Sequence, residues 1–75
     1  EMNAKEWLSE YAQRLGTAPP DREEFDAVLE LAAEAAHSSE RVAGPVACWL
    51  AAKSGRPLAE ALDAARALAA STADD

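Results

Sequence analysis

The chain has little of what most reactive or secreted proteins rely on. It contains one cysteine, one histidine and one methionine in 75 residues. One cysteine cannot close an internal disulfide, which excludes a disulfide-stapled secreted scaffold. Basic residues are scarce: seven Lys and Arg stand against fourteen Asp and Glu, for a formal net charge of −7. The basic residues are scattered along the chain, and no basic groove with interleaved aromatics is evident. Such a balance repels phosphate backbones and anionic lipid heads, so neither nucleic acid nor membrane is an expected partner. The longest apolar run, Val42 to Ala52, is too short to cross a bilayer and contains Gly44 and Pro45. No apolar signal segment is visible at the N-terminus. Glu1 precedes Met2, which reads as the natural start with Glu1 an addition. The expectation is a complete, acidic, cytoplasmic protein of one small domain spanning residues 1–75.

Alternating strand patterns and Asn-Gly or Asp-Gly hairpin signals are also missing, which leaves helices. Ala4, Trp7, Leu8, Tyr11, Ala12 and Leu15 fall at i, i+3, i+4, i+7, i+8 and i+11, one continuous helical stripe. Asn3 with Glu6 forms a capping-box pattern, and Gly16 stands where a left-handed terminator belongs. Asp21 with Glu24 repeats the capping pattern. Phe25, Val28, Leu29, Ala32 and Ala36 form the inner stripe of a second helix, widened by Leu31 and Ala35. Pro45 suits the start of a third helix, because its missing N–H would be unpaired there. Gly55 ends that helix. Pro57 opens a fourth, with Leu58, Leu62, Ala65, Leu68 and Ala69 as its stripe. The predicted helices cover approximately 4–15, 21–38, 45–54 and 57–70, followed by a polar tail at 71–75. The fold class is all-α, a compact array of four short helices forming an irregular four-helix bundle. Helix three has a single charge, at its end, and no wettable side. It is therefore expected to be central and enclosed by the other three, with whatever they leave bare offered to another molecule.

The stretch HSSERVAGPVACWLAAK gathers the only His, the only Cys and one of two Trp. His37 near the end of helix two suits the negative end of the helix dipole and a neighbouring Glu34. As a general acid or base it would need a partner, and no Ser-His-Asp or Cys-His arrangement is present. Cys48 inside an apolar helix reads as a small hydrophobe. Cys48 with His37 falls short of the three protein ligands a zinc site usually needs. No catalytic residues, metal or resident cofactor are expected. Arg41 beside the Gly44-Pro45 turn is the more suggestive group. With His37 and the amides of Val46 and Ala47 it forms a candidate site for a small phosphate, carboxylate or pterin-phosphate. The commoner role for such an Arg is structural, either pairing with Glu40 or Glu34 or tying down the loop by bonding a helix-two carbonyl. Trp7 and Trp49 read as core, with Trp49 the candidate partner-facing anchor.

In length, helicity and charge the chain resembles an acyl carrier protein, but it lacks the Asp-Ser-Leu attachment motif. Ser38 and Ser39 come at the end of a helix and are followed by Glu40. The run AAHSSERVAGPVACWLAAKSG resembles a different family, of small helical domains of unknown function from high-GC Gram-positive, actinobacterial-type bacteria. The matching positions are Ala36, His37, Arg41, Ala43, Pro45, Leu50 and Gly55. Trp7-Leu8 and the Leu29-x-Leu31-Ala32 run also fit, so the resemblance covers most of residues 4–69. Gly44 stands where the family usually has Ala, and Trp49 where a smaller or different aromatic is common. Such domains resemble those found alone or fused behind the nucleotidyltransferase domain of molybdenum cofactor guanylyltransferase-like proteins. The resemblance implies a non-catalytic accessory or protein-interaction role near molybdopterin guanine dinucleotide synthesis. Its partner would be that nucleotidyltransferase, or a second copy as a homodimer. It transfers no catalysis, because the nucleotidyltransferase's Gly-rich loop and metal-binding acids are absent.

Overall fold

The computed structural model describes residues 1–73. Its regular elements, among the described residues, are four helices: α1 (Ala4–Leu15), α2 (Arg22–Ser38), α3 (Ala43–Ser54) and α4 (Leu58–Ala73). The all-α, four-helix class expected from the sequence is the class observed.

The ends of the helices follow from local chemistry. The Asn3 side chain accepts the Glu6 amide at 2.8 Å, and the Glu6 carboxylate accepts the Asn3 amide at 3.4 Å. Two orphan amides are thereby paired at the start of α1. The exit of α1 is a left-handed Gly16, φ 78°. Its amide donates to Gln13 at 3.1 Å, and the Thr17 amide donates to Ala12 at 3.0 Å. This paired return of amides onto the last carbonyls is the Schellman arrangement. Asp21 and Glu24 form the same reciprocal box at the head of α2, at 2.8 and 2.9 Å. Removing such a cap typically costs about 1 kcal/mol. Asp21→Ala is therefore expected to lower the thermal midpoint by roughly 4–8 °C, and a circular-dichroism melt measures it.

Helices two to four depart from their expected limits by a few residues, each for a visible reason. α2 starts at Arg22 because Asp21 serves as its cap. α3 begins at Ala43 and not at Pro45. The Ala43 amide reaches the Glu40 carbonyl at 2.9 Å and the Gly44 amide reaches Arg41 at 3.2 Å. Those turn bonds supply the first two amides, so Pro45 falls third, where an N–H is still not required. Pro57 stands just outside α4, and its carbonyl accepts the Glu60 and Ala61 amides. Ser71 and Thr72, expected in a tail, continue α4, and their hydroxyls donate to the Leu68 and Ala69 carbonyls. Asp74 and Asp75 lie outside the described residues.

The central helix is α2. It packs against both α3 and α4, and these two touch each other only marginally. The expectation that helix three is central and enclosed is thus corrected. α2 is the longest element and carries small residues toward α3, so it takes the middle and leaves α3 covered on one side. At that seam Gly44 is buried against Ala32. A Cβ at Gly44 would lie 3.2 Å from the Ala32 carbonyl oxygen and 3.6 Å from the Ala32 Cβ. Among the described residues the most enclosed large apolar side chains are Leu31 on α2, 3 % exposed, and Leu62 on α4, 7 % exposed. Arg66 of α4 ties the α2–α4 pair from outside: it donates to Glu30 and lies 4.0 Å from Glu34.

α1 stands apart. Among the described residues, no Cα of α1 lies within 8 Å of a Cα of another helix. Its half-buried Leu8 faces a small hollow lined also by Pro19, Pro20 and Phe25. The molecule is consequently elongated, 43 × 27 × 18 Å. Its radius of gyration is 13.5 Å, against about 11 Å for a globule of this length.

Candidate functional site

Helix three has two faces that differ in size rather than polarity. The inner one consists of Gly44, Ala47, Cys48 and Ala51, all buried or half-buried. Small residues there let α3 lie close against α2. Val42, Pro45, Val46, Trp49, Leu50 and Lys53 form the outer face, and all six are exposed. They recur at i, i+3, i+4, i+7, i+8 and i+11, so one continuous stripe runs from the turn before α3 to its last turn. Trp49 at its centre is 59 % exposed. The Lys53 ammonium sits 4.8 Å from the Trp49 ring centroid, a cation–π contact that holds the indole along the helix.

The charge around this stripe is opposite to that of the molecule. Residues 41–56 carry Arg41, Lys53 and Arg56 and not one of the fourteen acidic residues. The remaining four basic residues share the rest of the chain with all the acids. Of these three, Lys53 lies on the outer face over Trp49, Arg41 stands in the turn before α3, and Arg56 pairs with Glu60 of α4 at 3.5 Å and lines the groove beside Cys48. The signal was present in the sequence as the absence of Asp and Glu over this stretch.

A second uncovered face lies on α1. Trp7 and Tyr11 stack with ring centroids 5.1 Å apart and planes inclined at 30°. They border a shallow hollow with Met2, Glu10 and Arg14. Trp7, read from the sequence as core, is 51 % exposed. Leu15, Leu29 and Leu68 are likewise open to solvent. Ala12, Leu31 and Leu62 are the buried apolar residues among those described.

The anion-site candidates lie on three consecutive stretches, the end of α2, the turn after it and the first turns of α3. His37 is exposed at the end of α2, in an open hollow with Glu34, Ser38, Ala69 and Thr72. Neither Arg41, Val46 nor Ala47 lines that hollow. Arg41 is exposed in the turn before α3. Its side chain makes no hydrogen bond or ion pair among the described residues, and Glu34 faces Arg66 instead. Because α3 begins two residues before Pro45, Ala47 is its fifth residue, where an α-helix pairs the amide with the carbonyl four back. No group of three or more His, Cys, Asp or Glu residues forms a metal-binding cluster among the described residues.

Cys48 points inward. Its thiol donates to the Val28 carbonyl at 3.8 Å, and burial pushes its pKa up, so the neutral thiol is favoured. It borders an open groove of about 340 Å³ with Pro20, Val28, Leu31 and Leu58, and with Glu24 and Arg56 also lining it. No helix among the described residues is long and apolar enough to cross a membrane.

The family model of a domain of unknown function, DUF6457, matches residues 1–75, and the chain belongs to that family. No curated protein and no solved structure matches it.

Proposed function

We propose that the chain is a non-catalytic helical interaction domain whose working surface is the outer face of α3, centred on Trp49. The observation that carries this reading is the segregation of side chains on that helix. Its small residues face α2 and its large apolar ones face solvent. A helix that served only its own fold would place the large side chains inward. Covering the open half of a tryptophan removes on the order of 100 Å² from water and contributes about 2.5 kcal/mol. Lys53 over Trp49 and Arg41 in the preceding turn favour a partner with acidic groups around an apolar patch.

The enzyme served is, on the resemblance of residues 35–55, a molybdenum cofactor nucleotidyltransferase. The domain would act beside it in the cytoplasm of an actinobacterial-type cell. Calorimetric titration of that enzyme with the chain tests the reading. A complex is expected, weakened about thirty-fold by Trp49→Glu, the effect of losing an anchor of about 2 kcal/mol. Inorganic phosphate, titrated into the labelled chain, is expected to leave the Val46 and Ala47 amide resonances unmoved. Saturable shifts there that vanish in Arg41→Ala would transfer the site to the turn. Such a result, together with failure to bind the enzyme or a second copy, would refute the interaction role.

A further inference from the structure

We propose that the outer face of α3 is covered by α1 of a second copy, and reciprocally, so that two chains close one another about a two-fold axis. The proposal rests on the interaction reading above and names the occupant of that surface in the free chain, which the nucleotidyltransferase would displace on binding. Area is the first argument. A folded monomer of 7.9 kDa exposes about 4,400 Å². This chain exposes 6033 Å², an excess of about 1,600 Å² over that scaling. A standard interface buries roughly 800 Å² per partner, and permanent homodimers bury more. The excess on one chain therefore matches what a stable homodimer removes.

Shape is the second. α1 and α3 are each 12 residues long. Trp7, Tyr11 and Leu15 form an exposed ridge at four-residue spacing on α1, and Val42, Val46 and Leu50 form one on α3. Ridges of this spacing interdigitate in the commonest class of helix packing. Both faces belong to the same chain, so a single two-fold contact covers four uncovered surfaces.

Within one chain the two faces do not meet. The left-handed Gly16 and the Pro19-Pro20 pair set the direction of α1, and Leu8 borders the Pro20–Phe25 side of the linker. No Cα of α1 comes within 8 Å of α3 among the described residues.

Sedimentation equilibrium of the full chain, combined with spin labelling, tests this arrangement. The wild-type chain is expected at the mass of two copies. Trp49→Glu and Tyr11→Glu are each expected to weaken dimerisation by about ten-fold or more, with helix content by circular dichroism unchanged, since both side chains are exposed. A spin label at Ser9→Cys in a Cys48→Ala background, mixed with isotope-labelled chain, is expected to broaden the Val46, Trp49 and Leu50 amides of the other copy. A dimer indifferent to Tyr11→Glu and without that broadening would overturn the α1-on-α3 pairing. A strict monomer that still binds the nucleotidyltransferase would overturn the homodimer and leave the interaction reading standing. A strict monomer that binds no enzyme would overturn both.

Discussion

Replacing Leu31 by alanine is expected to cost about 3 kcal/mol, a lost side chain plus a cavity the surroundings only partly refill. Leu31 is the most enclosed apolar side chain among the described residues and sits on the helix that both α3 and α4 pack against. A domain this small has only a few kcal/mol to lose. The thermal midpoint should therefore fall by roughly 15 °C or more. Leu29→Ala on the same helix is the control. Leu29 is exposed, and its removal should change stability by less than about 0.5 kcal/mol if nothing covers it. Denaturant titration of both variants reads the difference. Equal losses would mean that Leu29 is covered in solution and that α2 has a further neighbour.

The second large effect belongs to Gly44. Its Cα faces the Ala32 carbonyl across the α2–α3 seam. Alanine there brings the helix propensity of a residue with Cβ, worth about 1 kcal/mol. Its Cβ, 3.2 Å from a backbone oxygen, requires the seam to open by a few tenths of an ångström. These two effects nearly cancel, so Gly44→Ala is expected to be close to neutral. Gly44→Leu adds three more carbons on the same line and has to push α3 off α2. It is expected to lose about 3 kcal/mol, read as a shifted urea midpoint. A leucine tolerated without loss would show that α3 does not rest on Ala32.

The contrast between these two sites shows what the sequence could and could not reveal. The helix ends set by a capping box or a left-handed glycine were legible. Asn3 with Glu6, Asp21 with Glu24, and the left-handed glycines 16 and 55 mark helix ends by chemistry confined to a few residues. The identity of the central helix was not legible. Apolarity on all sides of α3 says that no side prefers water, but it does not say which helices are long enough to cover it. Residue size did carry that information, with Gly44, Ala47, Cys48 and Ala51 on the face that packs and Val46, Trp49 and Leu50 on the face that does not. The Arg66 link to Glu30 and Glu34 joins residues more than thirty positions apart, beyond any local pattern. Of the candidate site residues, Trp49 lies in the uncovered stripe. His37, at the end of α2, and Arg41, in the turn before α3, are four positions apart, and the hollow beside His37 is lined by Glu34, Ser38, Ala69 and Thr72 and not by Arg41.

All of this depends on large apolar surface that one chain leaves open and another molecule closes. The most direct measurement is the thermal midpoint of the wild-type chain as a function of its own concentration. A chain completed by a second copy is stabilised by mass action, so its midpoint should rise by several degrees over a roughly hundred-fold increase in concentration. A sharp, cooperative transition at the same temperature across that range would contradict closure by a second copy, because a lone chain would then be stable with both aromatic faces in water.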